Sequence, residues 1–164
     1  MINIRPAISD DFESVIHIYN QAVTSSFCTA DTEPVTLEER LDWFRSHVGG
    51  AYPIFVAESE GEVLGWISIS AYRLGRKALR FAVEVSYYVE RNLLGKGIGS
   101  FLMDCALKEA KELGYKSIFA ILLDRNEKSI ALLEKFGFEK WGHLPEICDF
   151  DGEICGQFYY GRKV

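Results

Sequence analysis

Hydrophobic and polar residues alternate with a period of two at Ile2-Asn3-Ile4-Arg5, which predicts a short opening strand. The period then lengthens. Phe12, Val15, Ile16, Tyr19, Ala22 and Val23 recur at helical spacing behind Ser9, a helix-capping residue, with Asp10 and Asp11 suited to the positive end of that helix. Thr36-Leu37-Glu38-Glu39 reads as a capping box, so a second helix carries Leu41, Trp43 and Phe44, and the stretch from Phe27 to Pro34 between them is loop. Two β-rich runs, Tyr52 to Ser59 and Glu62 to Tyr72, meet at Glu60-Gly61, and a third spans Leu79 to Val89. Together they predict an antiparallel meander, with Arg73 to Lys77 as its basic turn. An amphipathic helix over Phe101 to Leu113 ends at Gly114, an apolar strand follows from Lys116 to Leu123, and Asn126 caps a short helix that stops at Gly137. Phe138 to Trp141 and Glu153 to Gly161, the latter with Phe158 and Tyr160 in alternation, complete the sheet. The order of elements defines an α/β class with a mixed sheet and flanking helices.

Composition narrows the chemistry. At 164 residues, 48% of them hydrophobic, the chain is long enough to bury a core, and no Pro- or Ser-rich linker divides it, so residues 1–164 read as one domain. A net charge of -6 argues against a general nucleic-acid or anionic-membrane binder. Cys28, Cys105, Cys148 and Cys155 lack zinc spacing and Cys105 falls on an apolar helix face, which predicts reduced thiols and no metal. No apolar run approaches the ~18 residues of a membrane span, and the first 30 residues have no leader pattern, so a cytoplasmic location is expected. His17, His47 and His143 have no paired ligand spacing; surface roles are expected for them.

One segment changes the picture. Leu94-Gly95-Lys96-Gly97-Ile98-Gly99 stands between the run Val83 to Val89 and a helix, and a strand, glycine loop and helix in that order build a phosphate cradle. A P-loop would need Ser or Thr directly after the lysine, and Gly97 is there instead. A dinucleotide fingerprint needs the spacing Gly-x-Gly-x-x-Gly in a first βαβ unit; this loop is Gly-x-Gly-x-Gly and lies past mid-chain.

With these residues in place the chain resembles a GNAT-type N-acetyltransferase, and within that superfamily the bacterial phosphinothricin acetyltransferase-like enzymes. The resemblance is carried by Ile4-Arg5-Pro6-Ala7, Ile18 to Val23, Thr29 to Thr36, Trp43-Phe44, Val56-Ala57-Glu58, Gly65-Trp66, Glu84-Val85-Ser86, Gly95 to Gly99, and Asn126 with Ser129 to Phe138. It implies a sheet split at two splayed parallel strands, Glu84 to Val89 and Lys116 to Leu123, with acetyl-CoA wedged between them. It further implies that the pantetheine arm pairs with Tyr87, Tyr88 and Val89, that the pyrophosphate sits on Gly95, Lys96, Gly97, Ile98, Gly99 and Ser100, and that Asn126 and Ser129 contact the cofactor. The loop holding Phe27 and Thr29 would cover the acceptor, and a homodimer is implied. The chain departs from the pattern at Leu94, where Arg or Gln is usual, at Leu133, where many relatives carry Tyr or His, and at Phe150 and Ile154, which match histidines in the phosphinothricin enzymes.

Glu84 is the lone charge in an otherwise apolar strand, and burial would raise its pKa toward that of a useful base. It is therefore the candidate to take the proton of an acceptor amine, with a main-chain N–H near Tyr87 or Tyr88 meeting the oxyanion and water or Tyr88 protonating the leaving thiolate. Arg73 and Arg76, beside Arg80, offer guanidinium forks for an acceptor carboxylate. The expected reaction is direct acetyl transfer to the α-amine of a small amino acid such as a phosphinothricin or methionine sulfoximine or sulfone type. The alternatives are a protein N-terminus, a lysine or a polyamine as acceptor, or a non-catalytic acyl-CoA sensor.

Overall fold

A computed structural model describes all residues from Met1 to Val164. Seven strands form one sheet: β1 (Asn3–Pro6), β2 (Ile54–Ser59), β3 (Glu62–Ala71), β4 (Ala82–Val89), β5 (Ser117–Leu123), β6 (Glu139–Phe150) and β7 (Glu153–Lys163). Four helices, α1 (Phe12–Val23), α2 (Leu37–His47), α3 (Ile98–Glu112) and α4 (Glu127–Lys135), cover its faces. The strand order is β1-β2-β3-β4-β5-β7-β6. All neighbours are antiparallel except β4 and β5, so the sheet is mixed and the α/β class holds.

Alternation along β3 and β4 sorts side chains between two layers. Ile67, Ile69, Val83 and Val85 point to α3 and join Leu102, Met103, Ala106 and Ile118 in the larger core. Trp66 points the other way and packs with Val15, Ile18, Phe44 and Val56 under α1 and α2, with Tyr88 against that second core.

Local rules hold at most helix ends. Thr36 and Glu39 form the expected reciprocal cap of α2, and the Asn126 side chain caps α4 by accepting the Ser129 N–H at 3.2 Å. The start of α1 differs: Ser9–Asp11 is a 3₁₀ turn and the helix begins at Phe12. Asp11 replaces Ser9 as the anchor because its carboxylate accepts from the Ile8 N–H at 2.8 Å and from both terminal nitrogens of Arg5. The strand expected at Phe138 to Trp141 runs on to Phe150, with irregular pairing against β7 between Lys140 and Gly142 and between Leu144 and Cys148. The third strand of the meander starts at Ala82, after a 3₁₀ turn at Lys77–Leu79.

Candidate active site

The parallel pairing of β4 with β5 covers three positions, Ala82 with Ser117, Val83 with Ile118 and Glu84 with Phe119, and then stops. Beyond it β4 stays on β3 as far as Val89 and β5 stays on β7 as far as Leu123, so the two halves of the sheet diverge. The gap is the splay expected from the sequence. Tyr72 donates its N–H to Ala82 O at 3.2 Å and Glu90 donates to Leu64 O at 2.9 Å, which turns the main chain of even-numbered β4 residues toward β3. The N–H and C=O groups of Tyr87 and Val89 therefore face the gap, while those of Tyr88 are directed to β3. Gly65 keeps this stretch in place, since a Cβ there would lie 2.9 Å from Tyr88 O and 3.3 Å from Val89 Cα.

At the open end of the gap stands the glycine loop. Gly95 and Gly97 have φ of 79° and 87°, a region that side chains rarely adopt, and no atom lies within 4 Å of where their Cβ would be. The main-chain N–H groups of Gly95, Gly97, Ile98 and Gly99 have no main-chain acceptor. With Lys96 exposed among them and α3 beginning at Ile98, they form an open anion cradle. Ser100 accepts from Lys135 Nζ at 2.9 Å, and Ser129 accepts from the Tyr87 hydroxyl at 3.1 Å. The first contact joins the start of α3 to the last residue of α4, and the second ties the start of α4 to β4 at the edge of the gap. Burial pushes the Tyr87 phenol up to about 12, so it remains a donor.

On the α1/α2 side, β4 presents Glu84, Ser86 and Tyr88. Ser86 and Tyr88 line a pocket with Tyr19, Arg40, Trp43 and Trp66. Its walls are aromatic: Tyr88 stands 5.0 Å from both the Tyr19 and Trp66 rings, and Trp43 is 5.8 Å from Trp66. Arg40 is the pocket's one cation; its Nη2 donates to Asp31 at 3.0 Å, and its guanidinium lies 5.8 Å from the Tyr19 ring. The Tyr19 hydroxyl bridges Thr29 and Asp31. That bridge ties the loop after α1 to the pocket. Phe27, at φ 60°, packs on Phe150 at 5.6 Å and under Arg125 at 4.4 Å, which pins the same loop to β6 and to the turn before α4.

Glu84 is half-buried, and burial raises its carboxyl above the usual glutamate range with no charged or hydrogen-bonding partner to offset it. The buried Tyr88 phenol is likewise pushed up, first by burial and then by neighbouring Tyr19. Across the strand pair, Ser68 opposes Ser86 and Ser70 opposes Glu84. The Ser68 hydroxyl, 1% exposed, has no hydrogen-bond partner.

Two expectations change. Arg73, Arg76 and Arg80 line a separate groove with Tyr52 and Leu79 that shares no residue with the aromatic pocket. Tyr52 stacks on Tyr115 beside the end of α3, so in one chain these arginines sit away from the pocket beside Glu84 because the turn carries them past the end of β3. His47 is buried rather than on the surface, 6% exposed, because α2 lays its last turn against β3. His17 is exposed, and His143 is half-exposed beside Asp124 at 3.1 Å. No group of three or more His, Cys, Asp or Glu residues is placed to hold a metal ion, and no helix is long and apolar enough to cross a membrane. Arg40, Trp43, Trp66 and Ser86 were not legible as one site in the sequence. Their one signal was the placement of Trp43 and Arg40 three residues apart on a single helix.

A split parallel pair, an open amide cradle at a helix start and an unpartnered carboxyl beside an aromatic pocket are the parts of an acyl-transfer site. Residues 12–138 match the acetyltransferase (GNAT) family, and the chain belongs to it. It is an N-acetyltransferase by that membership. It is 42% identical to YwnH of Bacillus subtilis over 164 residues, covering 99% of each. It is 34% identical over 146 residues to an L-methionine sulfoximine/L-methionine sulfone acetyltransferase of Pseudomonas aeruginosa, covering 88% of this chain and 84% of the relative. A phosphinothricin acetyltransferase from Sinorhizobium meliloti, solved in complex with acetyl-CoA, superposes with a TM-score of 0.93 at 30% identity, covering 99% of this chain and 88% of that one.

Proposed function

We propose that this enzyme transfers acetyl directly from acetyl-CoA to the α-amine of a small amino acid or analogue, of the phosphinothricin, methionine sulfoximine or methionine sulfone kind. The observation that carries the reading is Glu84, a half-buried carboxyl with raised pKa and no partner, on the same strand face as the pocket residues Ser86 and Tyr88. The donor supplies an activated thioester. The open amides of Gly95, Gly97, Ile98 and Gly99, with Lys96 and Ser100, suit its pyrophosphate. Tyr87 and Val89 offer main-chain groups to an extended arm in the gap, and Asn126 and Ser129 border it from α4. Glu84 takes the proton that the amine must lose, the Tyr87 N–H is the donor best turned toward the oxyanion, and the Tyr88 hydroxyl is a proton source for the departing thiolate.

The acceptor's own carboxylate has a partner in Arg40. A guanidinium carries five donors, and Asp31 uses one of them. In this reading Arg40 takes the role first expected of Arg73 and Arg76, and Phe27 and Thr29 hold the loop that closes over the acceptor. A polyamine would meet a cation in the pocket, which disfavours that acceptor. The enzyme works in a reducing cytoplasm, consistent with four free thiols, as a homodimer.

Thiol release from acetyl-CoA with methionine sulfone, phosphinothricin, spermidine and a lysine peptide as acceptors tests the proposal. Turnover with the amino acids and little with spermidine is expected. Turnover restricted to spermidine or to the peptide would overturn the acceptor class.

A further inference from the structure

His47 lies at the end of α2 with both ring nitrogens engaged. Nδ1 is 2.7 Å from the Trp43 carbonyl and 3.1 Å from Ser46 Oγ, and Nε2 is 2.8 Å from Ser70 Oγ. The carbonyl can only accept, and the Ser46 hydroxyl spends its proton on that same carbonyl at 2.7 Å, so the partner chemistry assigns the ring proton to Nδ1. Burial lowers the pKa of this histidine, the Trp43 hydrogen bond opposing that shift, so the ring remains neutral and Nε2 presents a lone pair. Ser70 has one hydroxyl proton, and Nε2 takes it. What remains on Ser70 Oγ is acceptor capacity alone.

Ser70 is the residue directly opposite Glu84, on the same face of the sheet. Directly opposed Cβ atoms stand roughly 4.5–5.5 Å apart, so a change of side-chain torsion brings the Glu84 carboxyl, which has no hydrogen-bond partner in this structure, to the Ser70 hydroxyl. A hydroxyl that can only accept favours a carboxylic acid, which donates, over a carboxylate, which cannot.

We propose that Ser70 and His47 are positioning residues for Glu84: the Trp43 carbonyl fixes the His47 tautomer, His47 fixes the Ser70 proton, and Ser70 thereby holds Glu84 ready to receive and keep a proton. This rests on Glu84 being the base of the reaction. The chain of hydrogen bonds has a single direction, from Ser70 through His47 to Trp43, and it is anchored on a main-chain atom that cannot reverse. After Glu84 has taken the amine proton, its new O–H has Ser70 Oγ as an acceptor. The same lone pair cannot compete for the carboxylate before the transfer. Protonation of His47 would reverse the direction, because Nε2–H would then donate to Ser70 and free the hydroxyl to donate to Glu84. The other charged and titratable groups on this side are Arg40 on α2, Tyr19 on α1, Asp31 in the loop after α1, Tyr72 just past β3, Tyr88 on β4 and Lys163 on β7, the last reaching it through Trp141 and Phe119.

The pH profile of kcat/KM for the amino-acid acceptor tests this, since its acid limb reports the base of the free enzyme. In Ser70→Ala the acid limb should move down by about one pH unit, the size of one lost hydrogen bond to the neutral acid. Ser70→Thr, which keeps the hydroxyl, should restore the parent limb, and His47→Gln should move it in the direction of Ser70→Ala. A role confined to anchoring α2 on β3 predicts a uniform loss of kcat/KM with the limb unmoved, and that result overturns the proposal. So does an upward shift, which would mean that Ser70 donates to the carboxylate. Glu84→Gln separates the two levels. If it abolishes the limb while Ser70→Ala leaves it in place, the base stands and the positioning falls. If Glu84→Gln keeps the limb, the base assignment itself falls.

Discussion

The two faces of the β3–β4 ladder share a backbone and differ in nearly everything else. Toward α3, Ile67, Ile69, Val83 and Val85 are each at most 2% exposed and form the centre of the larger core. Toward α1 and α2, the intervening positions Ser68, Ser70, Glu84 and Ser86 are polar, set among Trp43, Trp66 and Tyr88. From Ala82 to Ser86 the first face has every property of a stabilising surface: branched apolar side chains, close packing and no group that titrates. The second holds an unpartnered serine, a carboxyl with raised pKa and a buried histidine, groups that cost stability unless something else requires them. In its first half the strand thus serves stability through the side chains at Val83 and Val85 and chemistry through those at Glu84 and Ser86. The contrast predicts that substitutions one residue apart will fail in different ways.

The largest effect belongs to the polar face. Glu84→Gln preserves shape and cannot accept a proton, so turnover should fall by roughly 10²- to 10⁴-fold. The acetyl-CoA KM should hardly change. Because burial raises the Glu84 carboxyl, parent activity should decline as pH falls through a value above the ordinary glutamate range near 4.3, where the base becomes protonated. Raising the pH toward the acceptor's own pKa should partly restore the variant. Near-native turnover from pH 6 to 9 would remove Glu84 from proton transfer.

On the apolar face, Ile69→Ala lies beside Ser70 in the chain and on the other side of the sheet. Loss of a fully buried isoleucine should cost about 2–5 kcal/mol of unfolding free energy in a denaturant titration. Per folded molecule, its kcat and the position of its pH limb should match the parent. A shifted limb would mean that the two faces are coupled through the backbone.

The glycine loop extends the comparison to the split between β4 and β5. At Gly97, φ is 87° and the Cβ position is open, so Gly97→Val both strains the turn and fills the cradle. A ligand at about 100 times its Kd adds roughly 2.7 kcal/mol by mass action, and acetyl-CoA should raise the parent Tm accordingly. The upward shift should shrink or vanish in the variant, measured against the variant's own ligand-free Tm. An equal shift in both proteins would place the pyrophosphate elsewhere.

Much of this was legible in the sequence where local rules suffice. Glu84 stood out as one charge in an apolar run, the glycine loop stood between a strand and a helix, and the caps at Thr36 and Asn126 follow short-range hydrogen bonding. The aromatic pocket was not legible, because Tyr19, Arg40, Trp66 and Tyr88 come from four elements that only the sheet order brings together. The burial of His47 is not legible, because it depends on where α2 lands on β3, which helical periodicity does not encode. The full length of β6 is hidden for a different reason: most of Glu139–Phe150 is exposed, so no alternation marks it.

The smallest predicted effect tests the comparison most directly. Ser68 lies between Ile67 and Ile69, 1% exposed, and its hydroxyl has no partner. On a face shaped for stability, trimming a buried side chain would lower Tm. Here Ser68→Ala removes a desolvated hydroxyl that is not hydrogen-bonded and leaves a small void, so the two terms oppose each other within about 1–3 kcal/mol. The expected outcome is an unchanged or slightly raised Tm together with a measurable rise in acceptor KM, since Ser68 faces the pocket residue Ser86 across the ladder. A clear fall in Tm with an unaltered KM would instead make Ser68 a packing residue and move it to the stabilising side of the sheet's account.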